Sequence, residues 1–184
     1  GTDGRFHIAY ELVLTGAIPF AVDVERVDVR DAKTHRVLLS LAGPDLVSRM
    51  NPVGDTPAGV PPDRPPPSPT ATQLAPSGSA VVWLDVPVQR KADLPTDLEH
   101  LVVGSARPPT GGESIQFSSL VGRVAVGAQK PLELGPPVGG GLWVAAEGCC
   151  DDPTHHRRGL LVVDGDQVVP QRFAIDWMKL DERH

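Results

Sequence analysis

Aromatic side chains make up 4% of these 184 residues. Any core must therefore be filled with Val, Leu, Ile and Ala, and branched aliphatic side chains suit the pleated surface of strands. Also missing is a run of about 20 apolar residues, the length a helix needs to span a bilayer. A surplus of positive charge is absent as well: 17 Lys and Arg face 23 Asp and Glu, a net charge of −6. An acidic chain repels phosphate, so nucleic acid is not expected as a partner. Only two cysteines occur, adjacent at Cys149 and Cys150. That rules out a disulfide framework and leaves the redox compartment undetermined. Gly1-Thr-Asp-Gly lacks the basic-then-apolar pattern of a secretory leader. The expectation is a chain that starts downstream of any targeting segment.

Punctuation is plentiful, with 20 Pro and 19 Gly, and it cuts the chain into short alternating runs. Arg5 to Thr15 sets Phe6, Ile8, Tyr10, Leu12 and Leu14 on one face, with His7 on the solvated one. In Phe20 to Arg30 the apolar parity switches between Val22/Val24 and Val27/Val29. A strand with one buried face needs a bulge to do that, placed near Glu25-Arg26. Asp31 to Thr34 is a polar turn, His35 to Leu41 a third strand, and Pro44 to Met50 one or two helical turns with Pro at the first position. Residues 51–72 are proline-rich with little to bury, and are expected to form an exposed insertion. Gly78 to Val88 returns to strand, with Val82, Leu84 and Val86 one way and Val81, Trp83 and Asp85 the other. Leu94 to Ser105 carries a capping-box pattern at Thr96 but is assigned to strand. Ile115 to Val126 adds further strand, with a bulge at Gly122.

The pattern predicts an all-β chain: an immunoglobulin- or fibronectin-like antiparallel β-sandwich over residues 1–135, with a C-terminal β extension over 136–184. The expected core includes Tyr10, Leu12, Leu14, Val22, Val24, Leu39, Val82 and Leu84.

The last third carries the groups that suggest chemistry. Cys149 and Cys150 with His155 and His156 offer soft-metal ligands, yet the spacing fits no zinc knuckle. A vicinal disulfide and two free thiols are the other readings. Gly139 to Gly141 lack the helix and Lys-Ser/Thr of a phosphate loop, and read as a turn before a strand. Arg157 and Arg158 suit a carboxylate but also suit a solvated edge. Asp164-Gly165 reads as a hairpin turn. Trp143 and Trp177 read as core.

Tyr10-Glu-Leu-Val-Leu-Thr15, followed by Val24-Glu-Arg-Val-Asp-Val29, is similar to the opening of an immunoglobulin-like module. Gly141-Leu-Trp-Val-Ala-Ala-Glu-Gly148, His156-Arg-Arg158, Leu161-Val-Val-Asp-Gly165 and Gln171-Arg-Phe-Ala-Ile-Asp-Trp177 resemble a segment of bacterial lysostaphin- or LytM-type zinc metallopeptidases, the peptidoglycan endopeptidase-like proteins. The resemblance covers residues 139–180 most closely and the rest loosely. It implies a sandwich ahead of a peptidase domain, an extracytoplasmic location, and peptidoglycan or a cell-wall peptide as partner.

It also implies where a metal would sit. Asp176 matches the Asp of the family's His-x-x-x-Asp motif, but Arg172 stands in the His position and no His-x-His occurs. A catalytic zinc needs three protein ligands, so this chain by itself is expected not to be an enzyme and to carry no cofactor. Three functions follow. The first is a non-catalytic accessory module that binds through Arg157, Arg158, Arg172 and Trp177. The second is a divergent metallohydrolase holding zinc with Asp176 and His155, His156, Cys149 or Cys150. The third is an interaction module presenting its proline-rich loop to a protein partner.

Overall fold

The structure is a computed structural model and describes residues 3–53, 72–127, 129–130, 132–147 and 155–181. It is all-β with antiparallel sheets, as expected. The chain divides into two compact units, one holding the described residues up to Gly127 and the other those beyond. The first unit thus ends ahead of the boundary expected at residue 135.

In the first unit the strands are β1 (Phe6–Thr15), β2 (Val22–Asp31), β3 (Val37–Ala42), β4 (Met50–Pro52), β5 (Gln73–Leu74), β6 (Ser79–Val88), β7 (Asp97–Ala106) and β8 (Ile115–Ala125). One sheet runs β1-β6-β4 and the other β3-β2-β7-β8, with β5 paired to β2. Alternation along the strands gives each sheet one apolar face. Leu12 and Leu14 of β1 and Val82, Leu84 and Val86 of β6 share a core with Val22, Val24, Val27 and Val29 of β2 and with Leu98 and Val102 of β7. Leu46 of the short helix α1 (Gly43–Arg49) joins the same core, and the helix carries Pro near its start and Arg49 in its last turn. Tyr10 and Leu39 pack at the margin of this core.

Both predicted bulges are present. Val24 faces Gly104 and Arg26 faces Val103, so Glu25 is the extra residue in β2. Here β2 presses on β7: a Cβ at Gly104 would lie 2.3 Å from the Asp23 carbonyl oxygen and 2.9 Å from Cζ of Phe117. In β8, Val121 faces His100 and Val124 faces Leu98, which leaves Gly122 and Arg123 opposite one residue. Gly122 has φ +51°, a left-handed backbone that glycine adopts without steric cost.

One expectation needs correcting in this unit. Val81 and Trp83 lie on the face of β6 away from the core and are nevertheless buried. Trp83 donates its indole N–H to Oδ1 of Asn51 at 3.0 Å, another buried group. Asn51 and Pro52 pair with β6, and the Thr72 carbonyl accepts from Val24 N–H at 3.0 Å. The ends of the proline-rich stretch therefore belong to the sheets, and its middle, residues 54–71, lies outside the described residues.

The second unit contains β9 (Trp143–Glu147) paired with β12 (Asp176–Lys179), β10 (Leu161–Val163) paired with β11 (Asp166–Val168), and a single helical turn, α2 (His155–Arg158). Asp164 and Gly165, both at positive φ, make the predicted two-residue hairpin turn.

Candidate functional site

The second unit inverts the usual burial pattern. Leu132, Leu134, Leu142, Val162, Phe173 and Met178 are exposed, while His156 and Arg157 are buried. His156 Nε2 lies 3.4 Å from Asp176 Oδ1, and the Asp176 side chain is 55% exposed. Asp176 opens β12 at a register break, opposite Glu147, while Trp177 faces Ala145. Its carboxylate thus joins a buried imidazole to solvent.

The structure corrects several expectations in this segment. Gln171 to Trp177 is not one strand. Arg172 N–H donates to the Val169 carbonyl at 3.3 Å and Ala174 N–H to the Gln171 carbonyl at 2.9 Å, so turns precede β12. Pro170 starts this stretch without a donor of its own. The strand spacing expected between Arg172 and Asp176 therefore does not apply. The Arg172 guanidinium lies 5.9 Å from the Phe173 ring centre, near enough for a cation–π contact. Arg157, read as a carboxylate ligand or part of a solvated edge, is 4% exposed, while Arg158 is half-buried. Trp177 is 37% exposed rather than core.

At the other end of the β9–β12 ladder lies a shallow depression lined by Gly139, Gly140, Gly141, Leu142, Lys179, Leu180 and Asp181. Gly140 and Gly141 take φ +63° and +97°, the turn before β9 that was expected. A Cβ at Gly141 would stand 3.0 Å from Cε of Lys179. Absence of a side chain there lets the lysine cross to Trp143, whose ring centre is 5.8 Å from Nζ. The Trp143 indole N–H donates to the Gly140 carbonyl at 3.3 Å.

Two polar clusters of the first unit went unread or misread in the sequence. His100 is 1% exposed. Its Nδ1 lies 2.6 Å from the Gly122 carbonyl and its Nε2 2.7 Å from the Tyr10 hydroxyl. A carbonyl only accepts, so Nδ1 carries the proton and Nε2 accepts from Tyr10. The bulge at Gly122 thus supplies the acceptor that fixes the tautomer. Burial lowers the His100 pKa and raises that of Tyr10. The available signal was parity: His100 shares the inward face of β7 with Leu98 and Val102. The second cluster surrounds His7, expected to be merely solvated. Its Nδ1 lies 2.9 Å from both carboxylate oxygens of Asp85, and its Nε2 is 3.1 Å from Asp3. The bond to Asp85, then that to Asp3, raises its pKa.

Of the expected metal ligands, His156 and Asp176 come together. His155 is placed only as part of α2, and Cys149 and Cys150 lie outside the described residues. Among the described residues there is no cluster of three or more His, Cys, Asp or Glu side chains able to hold a metal. An imidazole and a carboxylate supply two ligands, one short of a catalytic zinc site. No family model, curated protein or solved structure matches this chain.

Proposed function

We propose that the chain is a non-catalytic, extracytoplasmic accessory module of a cell-wall peptidase-like protein, with an immunoglobulin-like sandwich as its scaffold and the second unit as its binding part. The observation that carries this reading is the inverted burial of the second unit. Apolar side chains left in water over a contiguous segment mark a surface meant for a partner. Trp177 and Phe173 are exposed, as a ligand platform requires, and Arg172 lies over the Phe173 ring. The segment is the same one that resembles the peptidase family. Peptidoglycan, a polymer of sugar rings and short peptides with free carboxylates, offers stacking faces and anions to such a set.

The test is co-sedimentation of the purified chain with bacterial sacculi. Binding is expected, with a loss of at least several-fold in the double variant Phe173→Ala, Trp177→Ala. A chain that stays in the supernatant refutes the proposal.

The His156–Asp176 approach favours one competing reading, the divergent metallohydrolase. Zinc titrated calorimetrically into the chain separates the two. The accessory reading expects no stoichiometric heat in the micromolar range, with wild type and Asp176→Ala alike. One-to-one micromolar binding that disappears in Asp176→Ala would establish the metal site instead.

A further inference from the structure

We infer that β8 is a self-pairing edge, through which two copies of this chain join their first units into one continuous antiparallel sheet about a two-fold axis. This rests on the first unit alone and is independent of the function proposed above.

Among the described residues β8 pairs with β7 and no other strand. It is 11 residues long, and every second residue of such an edge directs its N–H and C=O away from the sheet. Edges of this length normally carry charge or proline to block further pairing. The other long edge does so: β1 bears His7 and Glu11 and pairs with β6 alone among the described residues. From Ile115 to Val121 β8 reads IQFSSLV, without charge or proline, and the bulge at Gly122–Arg123 closes that segment.

The segment is complementary to itself. A two-fold axis through Ser118 sets Ile115 against Val121 of the second copy and Leu120 against Gln116. Ile115 and Leu120, 55% and 60% exposed in the single chain, are then covered from both sides. Ile with Val is a favourable cross-strand pair. Arg123, whose side chain is 68% exposed and 3.6 Å from Asp97 of its own chain, lies at the end of the segment that Glu113 of the second copy approaches. An isologous contact of this kind closes after two copies and leaves no β8 edge for a third. The occupant of the edge is thus a second copy.

The axis makes Ser118 its own neighbour, and that yields a charge test. Ser118 is exposed and on the face away from the core, so substitution spares the fold, which far-UV circular dichroism verifies. Sedimentation velocity on the full chain should show a concentration-dependent monomer–dimer equilibrium. Ser118→Lys and Ser118→Asp, each alone, put like charges opposite one another and should be monomeric at concentrations where wild type is dimeric. An equimolar mixture of the two should recover the dimer. The inference fails if wild type remains monomeric at several hundred micromolar. It fails equally if Ser118→Lys dimerises as wild type does, which would place self-association on another surface, or if the mixture does not recover the dimer.

Discussion

His100 occupies an inward position of β7 that its neighbours fill with aliphatic side chains; burial disfavours its charged form, and two short hydrogen bonds satisfy its ring nitrogens. Removing one partner leaves a desolvated nitrogen behind. Tyr10→Phe should therefore cost about 1–3 kcal/mol in chemical denaturation, more than the loss of one exposed hydroxyl. The folded chain also takes up a proton at His100 less readily than the unfolded chain, whose histidine titrates near 6.5 (about the model-peptide value). A depressed folded pKa means the contribution is complete above the unfolded value and drains away as pH falls from there through the folded one. The stability gap between wild type and His100→Leu should shrink between pH 7 and pH 5; a constant gap would show that His100 is not the titrating group. His7 has the opposite sign. Its pKa is raised by Asp85 and Asp3, so its contribution is complete below the unfolded value and fades as pH rises through the folded one. His7→Ala should therefore destabilise the protein more at pH 5.5 than at pH 9.

At the scale of elements, the β2 bulge and Gly104 form one device. The bulge at Glu25 brings the Asp23 carbonyl onto β7, and only a residue without Cβ lets the two backbones meet. Gly104→Ala should cost at least the 1–3 kcal/mol typical of overpacking, read from the shift in denaturation midpoint. Strands, both bulges and α1 were legible because each depends on local alternation: the parity switch from Val24 to Val27 reveals the extra residue without any knowledge of the partner strand. The buried Trp83–Asn51 pair was not legible. Alternation puts Trp83 on the second face of β6 but cannot say whether that face meets water. Phe173 and Trp177 failed for a related reason. Their spacing fits a strand, whereas the hydrogen bonds at Arg172 and Ala174 turn the chain before one begins. His156 and Asp176, twenty residues apart, meet only through the fold.

For the whole molecule, the apolar core is concentrated in the first unit, which should stand alone. A chain ending at Gly127 should unfold in one cooperative transition with the far-UV signature of β-sheet. A broad, non-cooperative melt would mean the remaining residues are needed for folding. The second unit, with exposed Leu, Val and Met and a buried histidine and arginine, should be more soluble in the presence of the proposed cell-wall ligand, since burial of that surface lowers its tendency to self-associate.

The two bulges also impose an arithmetic on change in this sequence. Side chains alternate faces with a period of two, so each extra residue works as a parity bit. β2 and β8 each carry one, on either side of β7. Losing Glu25 alone would send either Val22 and Val24 or Val27 and Val29 into water, and losing Arg123 alone would turn Val126, which packs against the core, away from it. Insertions and deletions of two residues preserve the core pattern, and those of one invert it. The strands around β7 can thus lengthen or shorten in even steps, while a single-residue change has to be absorbed by a bulge.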